Sequence, residues 1–130
     1  MGTEAKTFAG AIEFTIREVS DEHVAGEMPV AAGVLNPFGV VQAGAIFWFA
    51  DVCASVLIIG KRAVVPGEMG FPLAVNINAA LIGNQKDGTF TATSRYVKRG
   101  RTLSVIRTTV LGDGGRLVAD VTTSHLPSVK

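Results

Sequence analysis

The run Val40-Val41-Gln42-Ala43-Gly44-Ala45-Ile46-Phe47-Trp48-Phe49-Ala50-Asp51-Val52-Cys53-Ala54-Ser55-Val56-Leu57-Ile58-Ile59 decides how the chain is read. It is apolar and suited to a helix, and Asp51 is its one carboxylate. The run has about the 20 residues that span a bilayer. A mid-helix Asp, however, is penalised by about 2.5–3.5 kcal/mol for insertion, and the flanking segments read as strands and turns of a soluble domain. The run is therefore a core helix wrapped by protein. An unpartnered carboxylate inside such a helix costs several kcal/mol unless it is solvated or paired, so Asp51 is expected to face a site.

The helix should begin near Gln42, after the breaking sequence Asn36-Pro37-Phe38-Gly39, and end before Gly60-Lys61-Arg62, whose Gly and cations suit a helix C-terminus. At roughly 100° per residue, Gly44, Trp48, Asp51 and Ser55 share one narrow stripe. Ile46, Phe49, Cys53, Val56 and Leu57 lie opposite and should face a sheet.

Upstream, Ile12 to Val19 alternates apolar and polar residues, and Ser20-Asp21-Glu22-His23 turns the chain into Val24 to Val30, a strand hairpin. Downstream lie four segments rich in Val, Ile, Thr and Ala: Leu73 to Leu81, Thr89 to Val97, Thr102 to Leu111 and Arg116 to Leu126. The turns Gln85-Lys86-Asp87-Gly88, Lys98-Arg99-Gly100-Arg101 and Gly112-Asp113-Gly114-Gly115 separate them and predict an antiparallel four-strand meander. A long apolar helix among six short strands is best buried by a sheet that curls around it, so the fold class is α+β.

The chain has 130 residues, which fits one domain over 1–130 with a core that needs no metal or disulfide. Its net charge of +1 provides no field for nucleic acid or an anionic membrane. One cysteine excludes an intrachain disulfide, and His23 and His125 have no metal-ligand spacing, so no metal is expected. Met1 to Lys6 lacks the apolar core of a secretory leader, which makes the cytoplasm the default location.

Asn36, Gln42-Ala43-Gly44, Asp51 and Gly100-Arg101-Thr102, in this strand order, resemble the hot-dog-fold acyl-CoA thioesterases of the phenylacetate-degradation (PaaI-like) and 4-hydroxybenzoyl-CoA thioesterase type. The resemblance covers nearly the whole chain. It implies one long central helix wrapped by a curved antiparallel sheet of five to six strands, and hydrolysis of a CoA thioester, aryl or short-to-medium acyl, to free acid and CoA. The sequence departs from the family pattern at Gln42, where a His is usual, at Ala43, where a Gly is usual, and near Leu73, where a Ser or Thr is usual. Ser55 resembles a hydroxyl that another branch carries one turn after the acid.

A helix N-terminus offers free N–H groups to an oxyanion, which makes the Ala43 N–H, beside Gly44, the candidate donor. Asp51 is the candidate general base or nucleophile. Asn36 either positions water or thioester through its amide or simply turns the chain before Pro37. Cys53 points with the core residues. Lys98, Arg99, Gly100 and Arg101, with Arg95, form the one basic cluster, and the resemblance implies that such a turn meets the phosphates of coenzyme A, itself part of the substrate rather than a separate cofactor. Phe47, Trp48 and Phe71 are candidate walls for the acyl group.

Ala43 and Asp51 stand two helical turns apart, about 12 Å along the axis, too far to act on one carbonyl. The resemblance implies a site shared between antiparallel helices of a homodimer, paired in turn into a dimer of dimers. A non-catalytic acyl-CoA sensor is the alternative. A hydratase of enoyl-CoA is weaker, because such sites pair an acid with a nearby His and the His nearest Asp51 in sequence is His23.

Overall fold

The computed structural model describes residues 4–128; Met1, Gly2 and Thr3, which were read for a leader, lie outside the described residues. Strands β1 (Thr15–Val19) and β2 (His23–Pro29) precede one helix, α1 (Ala43–Ile59), and β3 (Pro72–Leu81), β4 (Thr89–Arg99), β5 (Ser104–Leu111) and β6 (Leu117–Pro127) follow it. All six strands form one antiparallel sheet in the order β1-β2-β4-β5-β6-β3. The helix packs against every strand of it, as the resemblance implies.

Helix α1 follows its sequence signals closely. Gln42 is extended at the N-cap position, and Gly60 closes the helix with φ +72°, its N–H bonding to the Val56 carbonyl at 2.7 Å. A residue with a Cβ is strained at that φ, whereas Gly is not. Ile46, Phe49, Cys53 and Leu57 are buried against the sheet, and Gly44 and Trp48 are exposed. The sheet answers with alternate residues: Val24 and Met28 on β2, Phe90 and Ala92 on β4, Ile106 and Val110 on β5, and Val121 on β6. Helix and β2 approach closely at Gly26, where a Cβ would stand 3.2 Å from both Cys53 Sγ and Phe49 Cε1. Phe14, from the segment before β1, meets Trp48 edge-on at 4.8 Å and covers that flank of the helix. Two polar residues under the helix satisfy each other, Ser94 Oγ and Thr108 Oγ1 lying 2.6 Å apart.

The expected four-strand meander is corrected. Strands β4, β5 and β6 do form one, but β3 pairs with β6 at the far edge and β4 pairs with β2. The helix carries the chain across the sheet face to that edge, and residues 82–88 bring it back. The return is pinned along its length, since Ile82 N–H and Gly83 N–H both bond to the Val118 carbonyl, and Gln85 Oε1 accepts from Asp113 N–H at 2.9 Å. Turn-forming residues at 85–88 therefore serve a crossover, a distinction their composition does not carry.

Lys61 and Arg62 do not cap the helix as expected. Gly60 performs that task, and Arg62 pairs with Glu68 at 2.9 Å. Among the described residues no helix is long and apolar enough to cross a membrane, and no cluster of His, Cys, Asp and Glu could hold a metal.

Candidate active site

Asp51 sits half-buried in the middle of α1 and lines a cleft of about 440 Å³. Gly44, Phe47 and Trp48 form the helical side of the cleft, and Ala74, Val75, Asn76 and Ile77 of β3 form the other. Its inner oxygen, Oδ1, is buried and has no hydrogen-bond partner among the described residues. A register shift between Ala74 and Asn76 bulges β3 at this point. The polar side chain that β3 contributes to the cleft is Asn76; Leu73, where the family pattern wants a hydroxyl, does not line it.

Asn36 and Gln42 line a second, separate cleft of about 620 Å³, with Leu35, Pro37 and the segment from Thr7 to Gly10. Asn36 Oδ1 accepts from Phe38 N–H at 2.9 Å and from Val40 N–H at 3.3 Å, so its carbonyl makes the turn and its NH₂ remains available as a donor. The turn expected of Asn36 is therefore the role the structure shows. Ala43 is the first residue of α1, and neither its N–H nor that of Gly44 has a partner among the described residues. Such N–H groups, at the positive end of the helix dipole, suit an anion or a developing oxyanion. Gln42 makes no cap with its side chain, and its backbone N–H bonds to the Val34 carbonyl at 2.9 Å.

Asn84 holds this approach to the helix and escaped the sequence reading. Its Oδ1 accepts from Val41 N–H at 3.0 Å and its Nδ2 donates to the Val41 carbonyl at 2.9 Å, a two-point grip immediately before Gln42. No local signal marks it, because the contact spans 43 residues.

Ser55 is half-buried one turn beyond Asp51 and does not line the cleft. The basic turn divides. Arg99 lies over the Tyr96 ring at 4.8 Å and donates to the Asp21 carbonyl at 3.3 Å, whereas Gly100 and Arg101 line a third, small cleft of about 110 Å³ with Thr102, Ser104 and His125. Lys98 is exposed beside a bulge in β4. Cys53 is wholly buried, and desolvation pushes its thiol pKa up to about 12, which makes it a core residue and no nucleophile.

The two histidines lie in different parts of the fold. His23 is bound to Ser20 and Glu18 at the β1–β2 turn, but His125 of β6 lies within electrostatic reach of Asp51. Burial holds its pKa below the usual histidine range, while the Asp51 carboxylate and the Pro72 carbonyl pull it back up. The signal was present in the alternation Val121, Thr123, His125, which puts the ring on the helix-facing side of the strand.

No family model and no curated protein sequence matches the chain. Solved structures do. A thioesterase from Staphylococcus aureus, determined as a glutamine-to-alanine variant, is 25% identical and superposes with a TM-score of 0.79 over 88% of this chain and 93% of that one. The chain has the hot-dog fold of the thioesterases. A thioesterase from Pseudomonas aeruginosa shares this hot-dog fold at 23% identity and TM-score 0.78, covering 88% and 81% of the two chains. A hypothetical thioesterase from Streptococcus pneumoniae, solved with coenzyme A, does so at 20% identity and TM-score 0.78, covering 89% and 86%.

Proposed function

We propose that this hot-dog protein hydrolyses acyl-CoA thioesters as a dimer, with each active site drawn from two subunits. The observation that carries the reading is the separation of the catalytic groups: Asp51 lines one cleft of the chain, and Asn36 and Gln42 line another. Two antiparallel helices across a twofold axis bring the two clefts together. The exposed outer edge of β3 supports such a contact, since Val75 is 51% and Ile77 45% exposed beside the Asp51 cleft. A long apolar edge strand calls for a partner. The proposed assembly is a homodimer, with pairing of dimers into a tetramer.

In the shared site the thioester carbonyl accepts from Ala43 N–H, supported by Gly44 and by the NH₂ of Asn36. Asp51 of the other subunit takes a proton from water as it adds to the carbonyl carbon, or adds itself and is released by water. The C–S bond then breaks, and the CoA thiolate leaves and is protonated. A carboxylate and N–H donors suffice for this chemistry, so coenzyme A enters only as part of the substrate. Lys98, Arg99, Gly100 and Arg101 are the proposed contacts to its phosphates, with Arg101 the foremost because it lines a cleft. The coenzyme A bound to the Streptococcus pneumoniae neighbour and the aspartate-to-alanine variant solved of a hypothetical thioesterase from the same organism support this direction. The lone buried cysteine accords with action in the cytoplasm.

A hydratase needs its histidine in the cleft of the acid, and His125 lines the neighbouring one, so hydrolysis is the better reading. Thiol release from a panel of aryl and short-to-medium acyl-CoAs tests it. Turnover that disappears in Asp51→Asn is the expected result. An acyl-CoA that binds and stays intact for hours would identify a sensor, and absorbance loss from an enoyl-CoA without thiol release would identify a hydratase.

A further inference from the structure

His125 is 1% exposed and takes no part in the chemistry set out above. It pairs directly with Ala74 across the β3–β6 ladder, and Ala74 lines the cleft of Asp51. Residues directly opposite in an antiparallel pair project on the same face, so the imidazole lies under the helix on the Asp51 side of the sheet. Its Nε2 is engaged with Thr123 Oγ1 at 2.8 Å, whereas Nδ1 is buried and has no hydrogen-bond partner among the described residues; the Pro72 backbone also acts on the ring.

The tautomer follows from these neighbours. Pro72 offers a carbonyl and Asp51 a carboxylate, both acceptors, while Thr123 has a hydroxyl that can donate. These neighbours favour the tautomer protonated at Nδ1, with Nε2 accepting from the Thr123 hydroxyl. A buried N–H donor without a settled partner and the buried, unpartnered Oδ1 of Asp51 thus belong to one region of the core. Each costs free energy while unpaired, and pairing them with one another would satisfy both.

We propose that His125 is a positioning residue for Asp51, its Nδ1–H donating to the inner Oδ1 oxygen when substrate occupies the cleft, so that Oδ2 is the oxygen presented to the nucleophilic water or the carbonyl carbon. The proposal rests on the reading of Asp51 as the catalytic carboxylate. Its geometry places the β3–β6 ladder in control of the carboxylate's orientation. The charged groups around the ring are Asp51 from the helix and Arg101 from the β4–β5 turn; Thr102, Thr123 and Ser104 are neutral.

Two amide substitutions separate the nitrogens, because an Asn side chain places its NH₂ near the position of Nδ1 and a Gln side chain near that of Nε2. His125→Gln should lower kcat by about 10- to 100-fold, the factor of a hydrogen bond to a charged group, with KM nearly unchanged. His125→Asn should keep kcat within a few fold. A merely structural histidine would lower the melting temperature in both variants and leave kcat per folded molecule alike in both, and that result overturns the proposal. A second readout is independent of activity. The NMR titration midpoint of His125 should fall in Asp51→Asn, since a carboxylate that favours the imidazolium is gone, and an unmoved midpoint equally overturns the pairing. If the wild-type protein cleaves no thioester, the proposed function fails, and the titration still decides whether the two residues are coupled.

Discussion

Subunit complementation tests the shared site most directly. Ala43→Pro removes the proposed oxyanion N–H, and the structure shows why the helix should survive it. Ala43 is the first helical residue, its N–H makes no helical bond, and Gln42 before it is already extended at φ −68° and ψ 145°, the conformation a residue preceding proline adopts. Asp51→Asn removes the carboxylate and keeps its shape. Each homodimer should be inactive, because a lost oxyanion donor costs about 10²- to 10³-fold and a lost general base about 10²- to 10⁴-fold. With the two groups about 12 Å apart along one helix, the proposed site needs two chains. In a heterodimer one site receives Ala43 and Asp51 from intact positions, and the other receives both substitutions. Free exchange at equal ratio makes half of the dimers mixed, so about a quarter of all sites regain wild-type composition. The assay is thiol release against mixing ratio, with exchange followed by native mass spectrometry. Exchange without recovered activity would refute the shared site.

Further outcomes follow from particular contacts. Ile77→Lys on the outer edge of β3 should yield a monomer by light scattering, with thiol release lost, because a charge on an apolar edge opposes strand pairing. Arg101→Glu should raise KM for acyl-CoA far more than for a truncated thioester without the nucleotide; equal effects would indicate a folding defect instead. Asn84→Ala should cost about 1–3 kcal/mol in urea unfolding, because it leaves the Val41 N–H and carbonyl without their partner. His125 has a depressed folded-state pKa, so the unfolded chain binds its proton more readily. Its contribution to stability is present above pH about 6.5 and declines as the pH falls through the unfolded-state pKa towards the folded one. His125→Asn should flatten that part of the melting temperature against pH, and an unchanged slope would exclude the ring as its source.

Most of the helix was legible because its signals are local. Gln42 and Gly60 bound it, and periodicity alone separates the Phe49 face from the Asp51 stripe. Strand positions were legible for the same reason. Strand order was not, because Gln85 to Gly88 has the composition of a hairpin turn while its role as a crossover depends on Val118 and Asp113, distant in sequence. At the site, Asp51 announced itself as a carboxylate in an apolar helix. Asn84 and His125 did not, since each acts through a contact that joins distant parts of the chain.

The position of β3 at the far edge of the sheet bears on how the protein is made. Among the described residues its only strand partner is β6, which is made after β4 and β5. While β4 and β5 emerge from the ribosome, β3 has no neighbour on either side, and it carries Leu73, Val75, Ile77 and Leu81 exposed. A segment of that kind is prone to pair with other chains until its own partner arrives. Assembly of the Asp51 cleft, which β3 lines, therefore waits for β6, and the outer edge of β3 stays open to pairing even then.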